Sequence, residues 1–158
     1  MLRDMGEKEI FEAAKNGYAW AGALAKQMMD KHGSAMVHEA LASMGEVAGG
    51  GTGEELKGGT ERFASQLLDG QLSGGWRSEV KVEGNKVILK NHTCPCYAGY
   101  RAGGLSHEEA RMMCYSWWTR FPATAKKVNP GVENFWIEHY RSPEEDYCLE
   151  VFEVHGGS

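Results

Sequence analysis

WRSEVKVEGNKVILKNHT, residues 76–93, alternates apolar and polar side chains on both sides of a central Gly84-Asn85 pair. Strict alternation predicts two half-buried strands, and Gly84-Asn85 has the residue types of a two-residue hairpin turn. Folding the chain there places apolar side chains on one face and opposite charges on the other, as stable cross-strand pairing requires. The predicted pairs are Glu83 with Lys86, Val82 with Val87, Val80 with Leu89, Glu79 with Lys90, Arg77 with His92 and Trp76 with Thr93.

Helical periodicity predicts four helices around this hairpin. The first runs from about Glu7 to Lys31 and stops at Gly33. The second begins at a cap at Ser34, and the third lies near Glu61 to Asp69. The fourth begins at a capping box formed by Ser106 and Glu109. A second strand pair is predicted from about Glu133 to Tyr140 and from Tyr147 to Val154. The sequence therefore predicts a single α+β domain over residues 1–158. Its N-terminal part, residues 1–70, is helical, and an antiparallel sheet of two hairpins packs against about four helices.

Composition excludes several classes of function. The net charge is −5 with a pI near 5.7, and the absence of a basic run argues against nucleic-acid binding. Apolar runs are too short to span a bilayer, and the start of the chain does not resemble a signal peptide, so no membrane association is expected. We expect a cytoplasmic protein, in which reduced thiols serve as metal ligands, catalytic groups or core residues rather than disulfides.

The chain has four cysteines: Cys94, Cys96, Cys114 and Cys148. As a group they predict a metal centre, either with four thiolates or with His92 in place of one of them. Zinc and iron–sulfur clusters favour such soft ligands. The Cys94-Pro95-Cys96 spacing departs from the Cys-x2-Cys pairs of most structural zinc sites.

Two further chemistries are open for the Cys94-Pro95-Cys96 segment, which we expect to lie in a glycine-flanked loop. A strained local disulfide between Cys94 and Cys96 would make it a redox site. Alternatively, one of these cysteines is a nucleophile, with His92 as its base and His139 and Glu150 as other candidates. The remaining alternative is that the cysteines are small buried hydrophobes, which fits Cys114 best.

Aromatic residues crowd the last third of the sequence and predict an apolar ligand pocket, although most of them must belong to the core. Glu150 lies on the Cys148 face of an otherwise apolar strand. A carboxylate there either has a partner, such as an arginine, a metal or a substrate amine, or reaches solvent at an edge. The candidate ligand-binding residues are Trp117, Phe121, Trp136, Glu150 and Phe152.

The order of these elements and cysteines resembles the 4-vinyl reductase domain family, which groups with the ligand-binding folds of nitric-oxide sensors and transport-particle subunits. The resemblance covers roughly residues 60–154 and rests on a cysteine after the hairpin, Cys114 in a crossing helix, and Cys148 opening the last strand. A sister group of L-2-amino-thiazoline-4-carboxylate hydrolases is similar over Cys114 to Phe152. The chain departs from the family pattern in its doubled cysteine and in Glu150, which stands where an aromatic residue is expected.

The resemblance implies a small-molecule-binding, sensor-like domain, with proposed ligands that range from tetrapyrrole-like molecules to hydrocarbons. Together with the cysteines, it makes zinc or iron the candidate cofactor. The first alternative is a cysteine-dependent hydrolase of a cyclic amide-like substrate. The second is an interaction module that forms a homodimer through its long first helix, as the transport-particle relatives do.

Overall fold

The computed structural model describes residues 5–48, 59–118 and 131–155. In this part of the chain there are five helices and four strands, which confirms the predicted α+β class. The elements are α1 (Glu7–His32), α2 (Ser34–Ala48), α3 (Thr60–Ser73), β1 (Arg77–Glu83), β2 (Lys86–Thr93), α4 (Pro95–Ala102), α5 (His107–Trp118), β3 (Val132–His139) and β4 (Cys148–Val154).

The four strands form one antiparallel sheet in the order β1-β2-β4-β3. Both predicted hairpins are present, and they join through pairing of β2 with β4. Gly84 has a φ of 62°, a backbone conformation that the tight turn requires and that glycine adopts without strain. The register of the first hairpin is as predicted from Glu83–Lys86 to Ser78–Asn91.

At the open end of the first hairpin, the predicted register is wrong. Arg77 pairs with Thr93 rather than with His92, because β2 carries one extra residue in a β-bulge at this point. The backbone nitrogen of Arg77 donates to Thr93 Oγ1 at 3.0 Å. The His92 ring lies beside the exposed Glu79, with 3.1 Å between Nε2 and Oε1. The bulge therefore interrupts the regular alternation two residues before Cys94.

The inner face of the sheet changes character along its length. At one end, Phe152 of β4 is fully buried and packs edge-on against Phe63 of α3, with ring centroids 5.4 Å apart. Toward the other end, the inward positions of β2 and β4 are Asn91, Cys148 and Glu150. The sheet thus has an apolar core at one end and polar side chains at the other.

The helices α1, α2, α4 and α5 share a second apolar cluster. Its buried members include Met29, Val37, Tyr100 and Met113, one from each helix. The start of α5 has the predicted capping box, in which Ser106 N donates to Glu109 Oε2 at 2.7 Å and Glu109 N donates to Ser106 Oγ at 3.2 Å.

The contact between α1 and α4 brings two helix backbones together without side chains between them. A Cβ atom on Gly99 of α4 would lie 2.5 Å from the carbonyl oxygen of Lys15, and one on Gly103 would lie 2.7 Å from the backbone nitrogen of Ala23. On the facing helix, a Cβ atom on Gly22 would lie 3.0 Å from the Cα of Tyr100. Glycine is therefore required on both sides of this interface.

The solvent side of α1 carries two large apolar side chains, Trp20 and Leu24, of which Trp20 is 73% exposed. Among the helices of the described residues, none has both the length and the apolar character needed to cross a membrane.

Substitution of Gly99 by alanine tests the α1–α4 contact. We expect Gly99→Ala to lower the free energy of unfolding by about 1–3 kcal/mol, because the added methyl group overlaps the α1 backbone. Urea unfolding measures the change. The matched control is Gly17→Ala in α1, where a Cβ atom meets nothing within 4 Å. Alanine there should be neutral or stabilising by up to about 1 kcal/mol. Equal effects of the two substitutions would contradict the contact.

Candidate functional site

The Cys94-Pro95-Cys96 segment is the start of a helix, which corrects the predicted loop. Cys94 has an extended backbone and is the N-cap of α4, and Pro95 occupies the first turn, where its missing N–H is not needed. The backbone nitrogen of Tyr97 donates to Cys94 Sγ at 3.4 Å. Sulfur here takes the place of the oxygen that usually accepts this bond at a helix N-terminus.

All four cysteines line one pocket of about 250 Å³ between the polar end of the sheet and the helices α1, α4 and α5. Cys94 and Cys96 come from the start of α4, Cys114 from α5 and Cys148 from β4. The four are free thiols. The four cysteines therefore share one cavity.

Half of the other residues in the wall are aromatic. Tyrosine and tryptophan side chains come from α1, from the segment before β1, from α4 and from the end of β3: Tyr18, Trp76, Tyr97, Tyr100 and Tyr140. Tyr18 packs edge-on against Tyr100, with ring centroids 5.6 Å apart, and also contacts Trp76. An apolar cavity with a few polar groups is typical of small-molecule sites.

Glu150 is the most unusual group in the wall because it is only 2% exposed. Its Oε1 accepts a hydrogen bond from Asn91 Nδ2 at 2.8 Å, while its Oε2 has no hydrogen-bond partner among the described residues. Burial raises the pKa of this carboxyl to about 8, and the nearby charge of Cys94 adds to the shift. Glu150 is therefore largely protonated at neutral pH and has one oxygen free to bind a ligand.

Arg141 is the buried cation of the pocket. Its Nη2 donates to the carbonyl oxygens of Asn91 at 3.3 Å and His92 at 3.4 Å, and its Nη1 pairs with Asp146. The guanidinium lies over the Tyr97 ring, 5.1 Å from its centroid. Arg141 thus ties the end of β2 to the segment between β3 and β4, close to the start of α4.

The four thiols differ in acidity. A hydrogen bond from the Cys96 thiol lowers the pKa of Cys94 to about 7 against the effect of burial, with help from the Tyr97 amide and the charge of Arg141. Burial and the charge of Cys94 hold the pKa values of Cys96 and Cys114 well above the usual range. Burial also raises the pKa of Cys148. Cys94 is therefore the thiol that carries negative charge near neutral pH.

Several residues predicted for the site lie elsewhere. His92 is not among the lining residues, and its ring faces Glu79 on the outside of the hairpin. Phe152 belongs to the apolar core with Phe63. The indole nitrogen of Trp136 donates to the exposed Glu138 at 2.7 Å, away from the pocket. The side chain of Trp117 and all of Phe121 lie outside the described residues.

Asn91 and Arg141 were missed at the sequence level. Asn91 continues the inward positions of Val87 and Leu89 on β2, so the alternation itself contained the signal. Arg141 gave no such signal, because it follows the end of β3 and only the folded chain buries it.

Within the described residues, which include all four cysteines, no three His, Cys, Asp or Glu side chains are grouped so that they could hold a metal ion. The zinc or iron centre stays a prediction. A scan against models of protein families gives no match, and a search among curated proteins gives none either.

The raised pKa of Glu150 makes stability depend on pH. Between the ordinary value of 4.5 and about 8, the folded carboxyl keeps its proton while the unfolded one loses it. The free energy of unfolding should therefore fall as pH rises through this range, by up to about 1.4 kcal/mol per pH unit. Urea unfolding measured across this pH range should show that Glu150→Gln removes this fall in the free energy of unfolding.

The matched control for this prediction is Glu153→Gln on the same strand, where the carboxylate accepts a hydrogen bond from Asn134 at 2.7 Å near the surface. This variant should keep the pH dependence of the parent chain. If the free energy of unfolding changed with pH in the same way in the parent chain and in Glu150→Gln, Glu150 would be ionised in the folded state.

Arg141 should contribute to the reactivity of Cys94. In Arg141→Gln we expect the midpoint of the pH profile for alkylation of Cys94 by iodoacetamide to rise from about 7, because a stabilising charge is lost. A rise of one pH unit slows the reaction at pH 7 about two- to fivefold. Peptide mass spectrometry assigns the alkylated residue.

Arg111→Gln is the control for Arg141→Gln, because Arg111 also lines the pocket but lies over the Tyr140 ring. It should leave the midpoint for Cys94 unchanged. Equal alkylation midpoints in the parent chain and both variants would show that the charge of Arg141 does not lower the pKa of Cys94. Circular dichroism checks that each variant is folded.

Proposed function

We propose that this domain binds a small, mainly apolar molecule in the pocket between the sheet and the helices α1, α4 and α5. The observation that carries the proposal is Oε2 of Glu150, a buried polar atom with no hydrogen-bond partner among the described residues, on a side chain that lines the pocket. A buried polar group without a partner costs free energy, and a ligand that hydrogen-bonds to it removes that cost.

The size of the pocket limits the ligand. Its volume of about 250 Å³ lies below the roughly 300–1,000 Å³ of pockets for drug-sized molecules. A cavity of about 150 Å³ is enough for benzene. The pocket therefore favours a molecule of one ring or a short chain over a tetrapyrrole.

The chemistry of the wall defines the polar part of the ligand. The protonated Glu150 has both an O–H donor and an acceptor oxygen, and Arg141 supplies fixed positive charge nearby. A hydroxyl, amide or ring N–H group fits this end of the cavity, and the aromatic walls fit an apolar body. The ligand class is thus a small ring or chain with one neutral polar group.

Cysteine-dependent hydrolysis is the second candidate, and the low pKa of Cys94 is the observation that favours it. His92 lies away from the pocket, and Cys94 already carries negative charge near neutral pH, so this alternative does not need the predicted base. The protonated Glu150 lines the same pocket and would act as the general acid that protonates the leaving group. A homodimer through α1, which exposes Trp20 and Leu24, stays a prediction.

Phenol and toluene form a matched pair of probes, because they share a ring and differ in one hydroxyl group. We expect both to raise the melting temperature of the parent chain, and isothermal titration calorimetry gives their dissociation constants. The ratio of the dissociation constant of toluene to that of phenol should be about three- to tenfold larger in the parent chain than in Glu150→Leu. The reason is that the variant loses one hydrogen bond to the hydroxyl group of phenol.

Two controls locate the binding. Cys114→Phe fills the pocket and should abolish binding of both probes in a chain that circular dichroism shows to be folded. Glu153→Leu changes a carboxylate outside the pocket and should bind both probes like the parent chain. No binding to the parent chain, or full binding to Cys114→Phe, would refute the proposed ligand site.

A further inference from the structure

Cys94 and Cys96 lie on either side of the rigid Pro95 at the first turn of α4, and both line the pocket. Cys114 and Cys148 reach the same pocket from α5 and β4. The four thiols therefore include one pair that is adjacent in the chain, and that pair faces a cavity.

We propose that Cys94 and Cys96 form a dithiol that reduces small disulfides in this pocket, with Cys94 as the attacking thiol and Cys96 as the resolving thiol. This activity goes beyond ligand binding by Glu150 and does not rest on it.

The position of Cys94 suits it for the first attack. The Tyr97 amide donates to its sulfur at 3.4 Å, the N-terminus of α4 stabilises negative charge there, and Arg141 adds a full positive charge nearby. The pKa of about 7 is close to neutral pH, where an attacking thiol combines a large thiolate fraction with good nucleophilicity.

The position of Cys96 suits it for the second step. Burial keeps this thiol protonated, and the charge of Cys94 raises its pKa further. Once Cys94 has formed a mixed disulfide, that charge is gone, so the barrier to ionising Cys96 falls. The Tyr18 hydroxyl, which lines the same pocket, lowers the pKa of Cys96 and so favours the thiolate that must then form. The order of attack thus follows from the electrostatics of the pair.

The two steps balance. The Cys94 thiolate attacks one sulfur of the disulfide, the Cys94–sulfur bond forms, the substrate S–S bond breaks, and the leaving thiolate takes a proton from water. Cys96 then loses its proton to water and attacks the Cys94 sulfur. The Cys94–Cys96 bond forms, and the second thiol leaves. The two cysteines give up two electrons and two protons in total, and the substrate disulfide becomes two thiols.

Reaction with 2,2′-dithiodipyridine tests this order, because each attack releases a coloured thiopyridone. With one equivalent of the reagent, we expect the parent chain to release two thiopyridones, and peptide mass spectrometry should find a Cys94–Cys96 disulfide. In Cys96→Ser, the reaction should stop after one release and leave the thiopyridyl group on Cys94. The initial rate in the parent chain should rise about tenfold between about pH 6 and about pH 8, following the ionisation of Cys94.

The control outside the pocket is Glu153→Gln, which should behave like the parent chain. Cys114→Ser and Cys148→Ser should still release two thiopyridones, because neither thiol takes part in the two steps, and Cys94→Ser should lose the fast release. A thiopyridyl group that persists on Cys94 in the parent chain would overturn the proposal. So would a disulfide from Cys94 to Cys114 or Cys148 in place of Cys96. Binding of phenol is measured separately, so failure of the exchange reaction leaves the ligand site unaffected, and failure of the ligand site leaves the exchange reaction unaffected.

Discussion

The contact between α1 and α4 is the constraint on which the site depends. Gly99 and Gly103 lie against the backbone of α1, and Gly22 lies against the backbone of α4, so the two helices approach without intervening side chains. This approach fixes the start of α4, and with it the positions of Cys94 and Cys96. It also brings Tyr18 against Tyr100 and so forms the aromatic wall of the pocket. Close-packed interiors tolerate little change in volume, so the geometry of the thiols follows from the glycines.

The pocket lies where the apolar core of the sheet ends. Along β4, Phe152 is held by apolar neighbours, whereas Glu150 and Cys148 meet a cavity. A buried carboxyl cannot ionise cheaply in such a place, and the negative charge of Cys94 makes ionisation harder still. The Cys96 thiol and the Tyr97 amide, together with the charge of Arg141, favour the Cys94 thiolate instead. Arg141 also pairs with Asp146. Inside the pocket, the anion near neutral pH is therefore the Cys94 thiolate and not the Glu150 carboxylate.

The two proposed activities, ligand binding and thiol exchange, use different walls of the same cavity. Glu150 offers a neutral polar contact from the sheet, and the Cys94–Cys96 pair offers a reactive one from α4. Aromatic side chains form much of the remaining wall, and apolar surroundings strengthen both kinds of interaction. A molecule with an apolar body that carries a polar group or a disulfide fits this arrangement.

The sequence by itself determined the elements whose signals are local. Alternation and the Gly84-Asn85 turn set the register of the first hairpin, and the same alternation placed Cys148 and Glu150 on one face of β4. The tertiary structure decided the rest. The segment after Cys94 was expected to be a loop because it is short and contains Gly99 and Gly103, which disfavour a helix. Packing on α1 makes it helical, and there the two glycines are required rather than harmful. The bulge at His92 and the burial of Arg141 likewise depend on partners distant in sequence, so no local pattern could reveal that Arg141, and not His92, belongs to the site.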